Sequence, residues 1–174
     1  MKYINLISLI SLFMLLVFIY LPDEGNIMPV KNATSKDWNP KSFWYYPWGQ
    51  SVTHKGVDIF AKKGTQVLSR TRGLVVFSGN NGRGGKSVII LSNKYHLHYY
   101  AHLRSIHAHN YRYIAAGDKI GEVGNTGNAK GKPAHLHYSI FRLIPQPLDW
   151  DTHTPQGWKK MFYLNPALET AHES

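Results

Sequence analysis

Between residues 50 and 145 the sequence breaks repeatedly into β-prone runs of five to eight residues separated by glycine turns. The runs are Thr65–Ser69, Gly73–Phe77, Ser87–Leu91, His96–Leu103, Lys119–Val123 and His135–Phe141. No stretch among them sustains the 3.6-residue apolar period of a helix. Short strands at this spacing predict a mostly β fold, a small and largely antiparallel domain. With 174 residues the chain holds one such domain and a flanking segment. Hydrophobic residues make up 43%, including 5 Trp, 11 Tyr and 7 Phe, which is enough for a packed core.

The flanking segment is N-terminal. From Tyr3 to Leu21 the chain reads without a charge, with Lys2 before it and Asp23 and Glu24 after it. As a helix it would rise roughly 28 Å, close to the hydrocarbon thickness of a bilayer. The charge asymmetry predicts a cytoplasmic N-terminus, an anchor in the inner membrane through residues 3–21, and export of everything after residue 22. A cleaved signal sequence, which would make the protein secreted, is the rival reading; the stretch closes on Phe18-Ile-Tyr-Leu-Pro22 without an A-x-A-like site. Residues 23–42 are polar and interrupted by Pro29 and Pro40, as in a tether. The aromatic run Phe43–Trp48 is expected to pack on the domain, to sit at the membrane interface or to line a groove. Residues 43–168 then form the domain, 169–174 a tail, and Phe162–Pro166 can dock the C-terminal part back.

The chain has no cysteine, which excludes disulfides, thiolate metal sites, thiol nucleophiles and lipid attachment through cysteine. Its formal charge of +10 favours polyanions of any kind, but no recognised nucleic-acid motif accompanies it. Gly85-Lys86-Ser87 ends like a phosphate loop, yet Asn80 stands where that loop needs glycine. Gly121, Gly124 and Gly127 lack the opening of a dinucleotide fingerprint and read as turns.

The ten histidines carry the chemistry. His54 and Asp58 would lie ~13 Å apart on a straight strand, so they meet at one metal only if the chain bends near Gly56. His135 and His137, two apart on a strand, point to the same face, with Leu136 on the other. In the run Tyr95–Leu103, His96, His98, Tyr100 and His102 share a face by the same rule. His96-x-His98 is therefore a second candidate pair, and periodicity does not rank the two. Two histidines and one aspartate would leave a fourth zinc position open, as catalytic sites do.

Five segments in register break this tie: His54-Lys-Gly-Val-Asp58, Gly64-Thr-x-Val67, Gly73-x-Val75, Tyr100-Ala-His102-Leu, and Gly124-Asn-Thr-Gly127 leading to His135-Leu-His137. In this order they resemble the lysostaphin-type (LytM-like) zinc metallopeptidases, which cut peptide bonds in bacterial peptidoglycan. The resemblance implies a metal in a long groove, with His54, Asp58 and His137 as Zn2+ ligands and His102 and His135 as the catalytic pair. His135 would accept the proton of water and His102 would stabilise the oxyanion, although the sequence does not decide which is the base. It leaves His96, His98, His107, His109, His153 and His172 as non-ligands, facing solvent or the groove. No His-Glu-x-x-His motif is present to supply a glutamate base. The link to His135 carries Lys132-Pro-Ala134, an extension over shorter family versions. Some relatives lack ligands and act as activators of other wall enzymes. The complete set here favours a hydrolase working in the periplasm or cell-wall space, with a catalytically silent wall-binding regulator as the alternative.

Overall fold

A computed structural model describes residues 6–14 and 27–167. The domain contains ten strands: β1 (Val57–Phe60), β2 (Gln66–Leu68), β3 (Gly73–Asn80), β4 (Lys86–Ser92), β5 (His96–Leu103), β6 (Ser105–Ile106), β7 (Tyr113–Ile114), β8 (Lys119–Glu122), β9 (His135–Arg142) and β10 (Tyr163–Leu164). Six of them sit on the predicted runs; β1, β6, β7 and β10 had no run of their own. Seven strands form one antiparallel sheet in the order β1-β9-β5-β4-β3-β7, with β10 also paired to β9. A second sheet, β2-β8-β6, is also antiparallel.

The core is filled by one face of the large sheet. Val57 and Ile59 from β1, Leu136, Tyr138 and Ile140 from β9, and Val88 and Ile90 from β4 are essentially inaccessible, as are Val67 and Ile120 from the small sheet. Burying each such aliphatic side chain contributes about 1.5–3 kcal/mol. His96 and His98 also lie on this core face, at 5% and 0% exposure, so neither faces solvent or groove as expected. Polar pairing makes their burial tolerable. The His98 Nδ1 lies 2.7 Å from the Tyr138 hydroxyl, and the Arg70 amide donates to the Tyr100 hydroxyl at 2.9 Å. Burial pushes the Tyr100 phenol up to about 12, so it stays neutral.

Much of the predicted tether is packed instead. Val30 bridges to Val67 and is fully buried, and Trp38 joins the same core. Prolines did exclude a long helix there, but short 3-10 turns at Ser35–Asp37 and Pro40–Ser42, each capped by its preceding Thr34 or Asn39 side chain, lay the segment on the domain. The C-terminal part docks as expected, through β10 on β9 and through Arg142, which donates to the Asp149 carboxylate.

Among the described residues no helix is long and apolar enough to cross a membrane. Residues 6–14 are helical. The rest of the predicted anchor lies outside the described residues, as does His172.

Candidate metal centre

The β1–β9 ladder sets Asp58 directly opposite His137, so both side chains project from the same face of the sheet. His135 projects from that face too, opposite Phe60. His54 reaches the site from the loop before β1, where the chain turns at Gly56 as anticipated. His54 Nε2 is 3.1 Å from Asp58 Oδ1 and 3.1 Å from His137 Nδ1, and His137 Nδ1 is 2.9 Å from Asp58 Oδ1. These three residues form the one group of metal-binding character among the described residues.

The donor set fits a cation. The His54 Nδ1 lies 3.0 Å from the Ser42 carbonyl, which can only accept, so Nδ1 carries the proton and Nε2 a lone pair. That lone pair points at a carboxylate oxygen, an arrangement of two acceptors that a shared cation resolves. Zinc takes nitrogen and oxygen donors at about 2.0–2.2 Å, which sets donors roughly 3.3 Å apart in a tetrahedron. The observed triangle is within a few tenths of that. Burial raises the Asp58 carboxyl, but the His137 and His54 imidazoles more than offset it and hold it well below the usual carboxylate range. Burial lowers the affinity of the His137 imidazole for a proton, which favours the neutral ring a metal requires.

His102 corrects the alternation expected in β5. Between Val88–Tyr100 and Lys86–Leu103 the ladder sets two residues of β5 against the single Ser87 of β4, a β-bulge. His102 itself has φ of 65°. The extra residue and the left-handed backbone swing its side chain off the core face occupied by His98 and Tyr100 and into the groove. A non-glycine residue there costs about 1–3 kcal/mol, and the surrounding contacts must hold it. The Gly124–Gly127 turn does so: Thr126 donates its hydroxyl to the Leu103 carbonyl at 2.9 Å and accepts the His102 Nδ1 proton on its own carbonyl at 3.0 Å. A Cβ on Gly124 would come within 2.7 Å of the His102 carbonyl oxygen, so this close clamp needs glycine.

His102 and His135 thus converge, with ring centroids 5.1 Å apart, and His102 is 6.0 Å from His137. The His135 Nδ1 donates to the Pro133 carbonyl at 2.8 Å. Both imidazoles therefore present a bare Nε2 to a cavity of about 280 Å³ lined also by Trp48, Phe60 and Lys132. Burial, and after it the neighbouring His137 and His135, push the His102 pKa down to about 4. The folded state thus disfavours protonation. Stability from this group is full above pH 6.5, the ordinary histidine value, and is lost as pH falls through 4. Chelator-treated protein is expected to lose about 2 kcal/mol more than His102→Asn between pH 7 and 4.5, after allowance for solvent screening. Urea unfolding at the two pH values measures it; parallel losses would remove the argument.

Some residues at the site were not singled out from sequence. Tyr99, raised in pKa by burial, presents its ring edge to His137 at 6.2 Å. Phe60 packs on His135 at 5.4 Å, and its position two residues after Asp58 was the available signal. The aromatic run splits its roles. Trp44 is buried and donates its indole N–H to the Pro155 carbonyl, whereas Trp48 stacks on His54 with centroids 4.1 Å apart and walls the groove. His107, His109 and His153 are exposed, as expected of non-ligands.

Comparison with known proteins places this geometry in a family. The model for peptidase family M23 matches residues 52–150. The chain is 32% identical over 144 residues to the murein hydrolase activator NlpD of Salmonella typhimurium, covering 72% of this chain and 37% of that protein. It is 32% identical over 151 residues to the L-Ala--D-Glu endopeptidase of Bacillus subtilis, covering 78% and 44%. The chain thus spans less than half the length of these curated relatives. The catalytic domain of the antimicrobial peptidase lysostaphin from Staphylococcus simulans superposes with a TM-score of 0.54 at 31% identity, over 57% of this chain and 76% of that one.

Proposed function

The chain belongs to peptidase family M23, and from that premise we propose that it is a zinc metalloendopeptidase hydrolysing peptide bonds, in stem peptides or cross-links, of bacterial peptidoglycan. The observation that carries this reading is the triangle of His54 Nε2, Asp58 Oδ1 and His137 Nδ1 beside two imidazoles whose Nε2 atoms are free to take a proton. These three atoms would hold a zinc ion, which would supply Lewis-acid polarisation and lower the pKa of water there. His135 Nε2 takes the proton of the attacking water, its ring held by Pro133 and Phe60. His102, with its lowered proton affinity, enters the reaction unprotonated. It can take the second proton of the water oxygen at Nε2 after attack, and as the stronger acid it is suited to pass that proton to the leaving amine, while His135 returns the first. Trp48 and Phe60 exclude water from the walls.

The relatives named as murein hydrolase activators favour a second reading, a wall-binding regulator without turnover. The complete pair of imidazoles beside the metal ligands favours the hydrolase. Under either reading the domain works outside the inner membrane. Residues 3–21 serve as the anchor there, a role supported by Leu6, Ile7, Leu9, Ile10 and Phe13, which are all more than half exposed on the helical residues 6–14 and need an apolar surrounding.

The test is incubation of the zinc-loaded protein with purified sacculi, followed by mass spectrometry of the released fragments. New peptide termini are expected, absent with a chelator and reduced about 10²–10⁴-fold in His135→Ala. Full activity of that variant would remove the mechanism, and intact sacculi with bound zinc would move the weight to the regulator, or to a protein whose N-terminal segment must first be removed.

A further inference from the structure

Two cations at the groove play no part in the hydrolytic chemistry. Arg83 sits in the 3-10 turn Gly82–Gly84 of the β3–β4 hairpin, and Lys132 sits in the extended link before β9. Both are exposed, and neither has a carboxylate partner among the described residues; the Arg83 guanidinium reaches only the Ser51 hydroxyl, at 3.4 Å. They line one recess of about 350 Å³ together with Trp48, Gln50 and Asn128. From there Arg83 continues into the recess of Tyr99, His102 and His137, and Lys132 into that of Phe60, Pro133 and His135. Each cation therefore lines a recess that a residue of the metal centre also lines, His137 with Arg83 and both Asp58 and His137 with Lys132. Asp58 is the one carboxylate on these walls among the described residues, and it faces the ligand imidazoles.

The two loops are built as a single wall. Gly85 and Gly127 have φ of 62° and 66°, and a Cβ on either would come 2.4 Å from the other's amide nitrogen. The Lys86 amide donates to the Thr126 hydroxyl at 2.9 Å across the same contact. Arg83 is thus carried on a turn locked to the one that clamps His102, which lowers the ordering cost of using it in recognition.

We propose that Arg83 and Lys132 are specificity-determining residues that select peptides bearing free carboxylates beside the scissile bond. The substrate is then an acidic stem peptide, or a cross-link made from one, and not a neutral polyglycine bridge. A guanidinium pairs a carboxylate through two parallel hydrogen bonds, and an ammonium adds a second point charge. Cations concentrated in a groove of one sign also raise the local concentration of an anionic ligand. This inference rests on the peptidase reading for the identity of the ligand, but binding alone tests it.

Affinity of the zinc-loaded full chain is measured for one stem peptide in its free-acid and fully amidated forms, and for pentaglycine, with cleavage of each followed in parallel. The free acid is expected to bind about tenfold tighter than the amidated form. The preference is expected to vanish in the double variant Arg83→Gln/Lys132→Gln and to persist in Lys31→Gln/Lys36→Gln, which changes net charge equally away from the groove. Equal binding of the two forms, tighter binding of pentaglycine, or a preference untouched by the first variant would each overturn the proposal. A charge preference without any cleavage would uphold it and count against hydrolysis alone.

Discussion

Asp58→Ala is expected to abolish both zinc retention and peptide release. The carboxylate contacts the His54 and His137 imidazoles within 3.1 Å, so its loss would remove one of the three proposed donors and the charge that keeps the other two aligned. Metal-ion stabilisation of a developing charge amounts to several kcal/mol, and about 4 kcal/mol corresponds to roughly 10³ in rate. A second consequence needs no activity assay. At a hundredfold excess over its dissociation constant zinc stabilises the folded state by about 2.7 kcal/mol, equivalent to roughly 5–10 °C in Tm for a domain of this size. A chelator should lower the Tm of the native chain by that amount and leave Asp58→Ala unmoved. A variant that keeps the shift would place the metal elsewhere.

Gly56→Ala is expected to damage stability and the metal site together. A Cβ at that position would lie 2.3 Å from the Tyr138 carbonyl oxygen and 3.0 Å from the His137 ring. Because the first of these is backbone in the middle of β9, no rotamer change relieves it, and β1 must move away from its partner strand. The expected loss is about 3–5 kcal/mol, at the upper end of single-residue effects. Zinc affinity should fall with it, since the His137 ring is the next atom group displaced. Gly131→Ala is the comparison: its φ of 81° is strained for alanine, but nothing lies within 4 Å, so about 1–2 kcal/mol is expected with zinc affinity intact. Denaturant unfolding and zinc titration of both variants decide the matter; equal costs would mean that the close approach is not what Gly56 provides.

The part of this architecture legible in the sequence is the part that obeys simple periods. The run His96–Leu103 has the bounds of β5, and the rule that alternate residues share a face puts His135 and His137 together with Leu136 in the core. The same rule misplaces His102, because a bulge and a left-handed backbone at a histidine leave no mark on hydrophobic alternation. It also gives no reason to bury His96 and His98, the second of which is held by a partner on the neighbouring strand, the Tyr138 hydroxyl. Strands of two residues, like β6, β7 and β10, are too short to carry a pattern. Among the described residues 27–42 only short 3-10 turns form, as the prolines imply, but the burial of Val30 and Trp38 depends on tertiary contacts that composition does not encode.

The hydrogen bond from His54 to the Ser42 carbonyl also bears on where the working unit begins. The family model matches from residue 52, yet the group that fixes the tautomer of His54, a proposed metal ligand, lies at residue 42, and Val30 and Trp38 join the core further upstream. The segment matched by the family model and the packed core therefore have different borders in this protein. A fragment cut at the border of similarity would keep all three donor side chains while freeing one imidazole to rotate. It would be a poorly loaded imitation of the intact molecule, and the border to respect in dissecting this protein is that of the packed core.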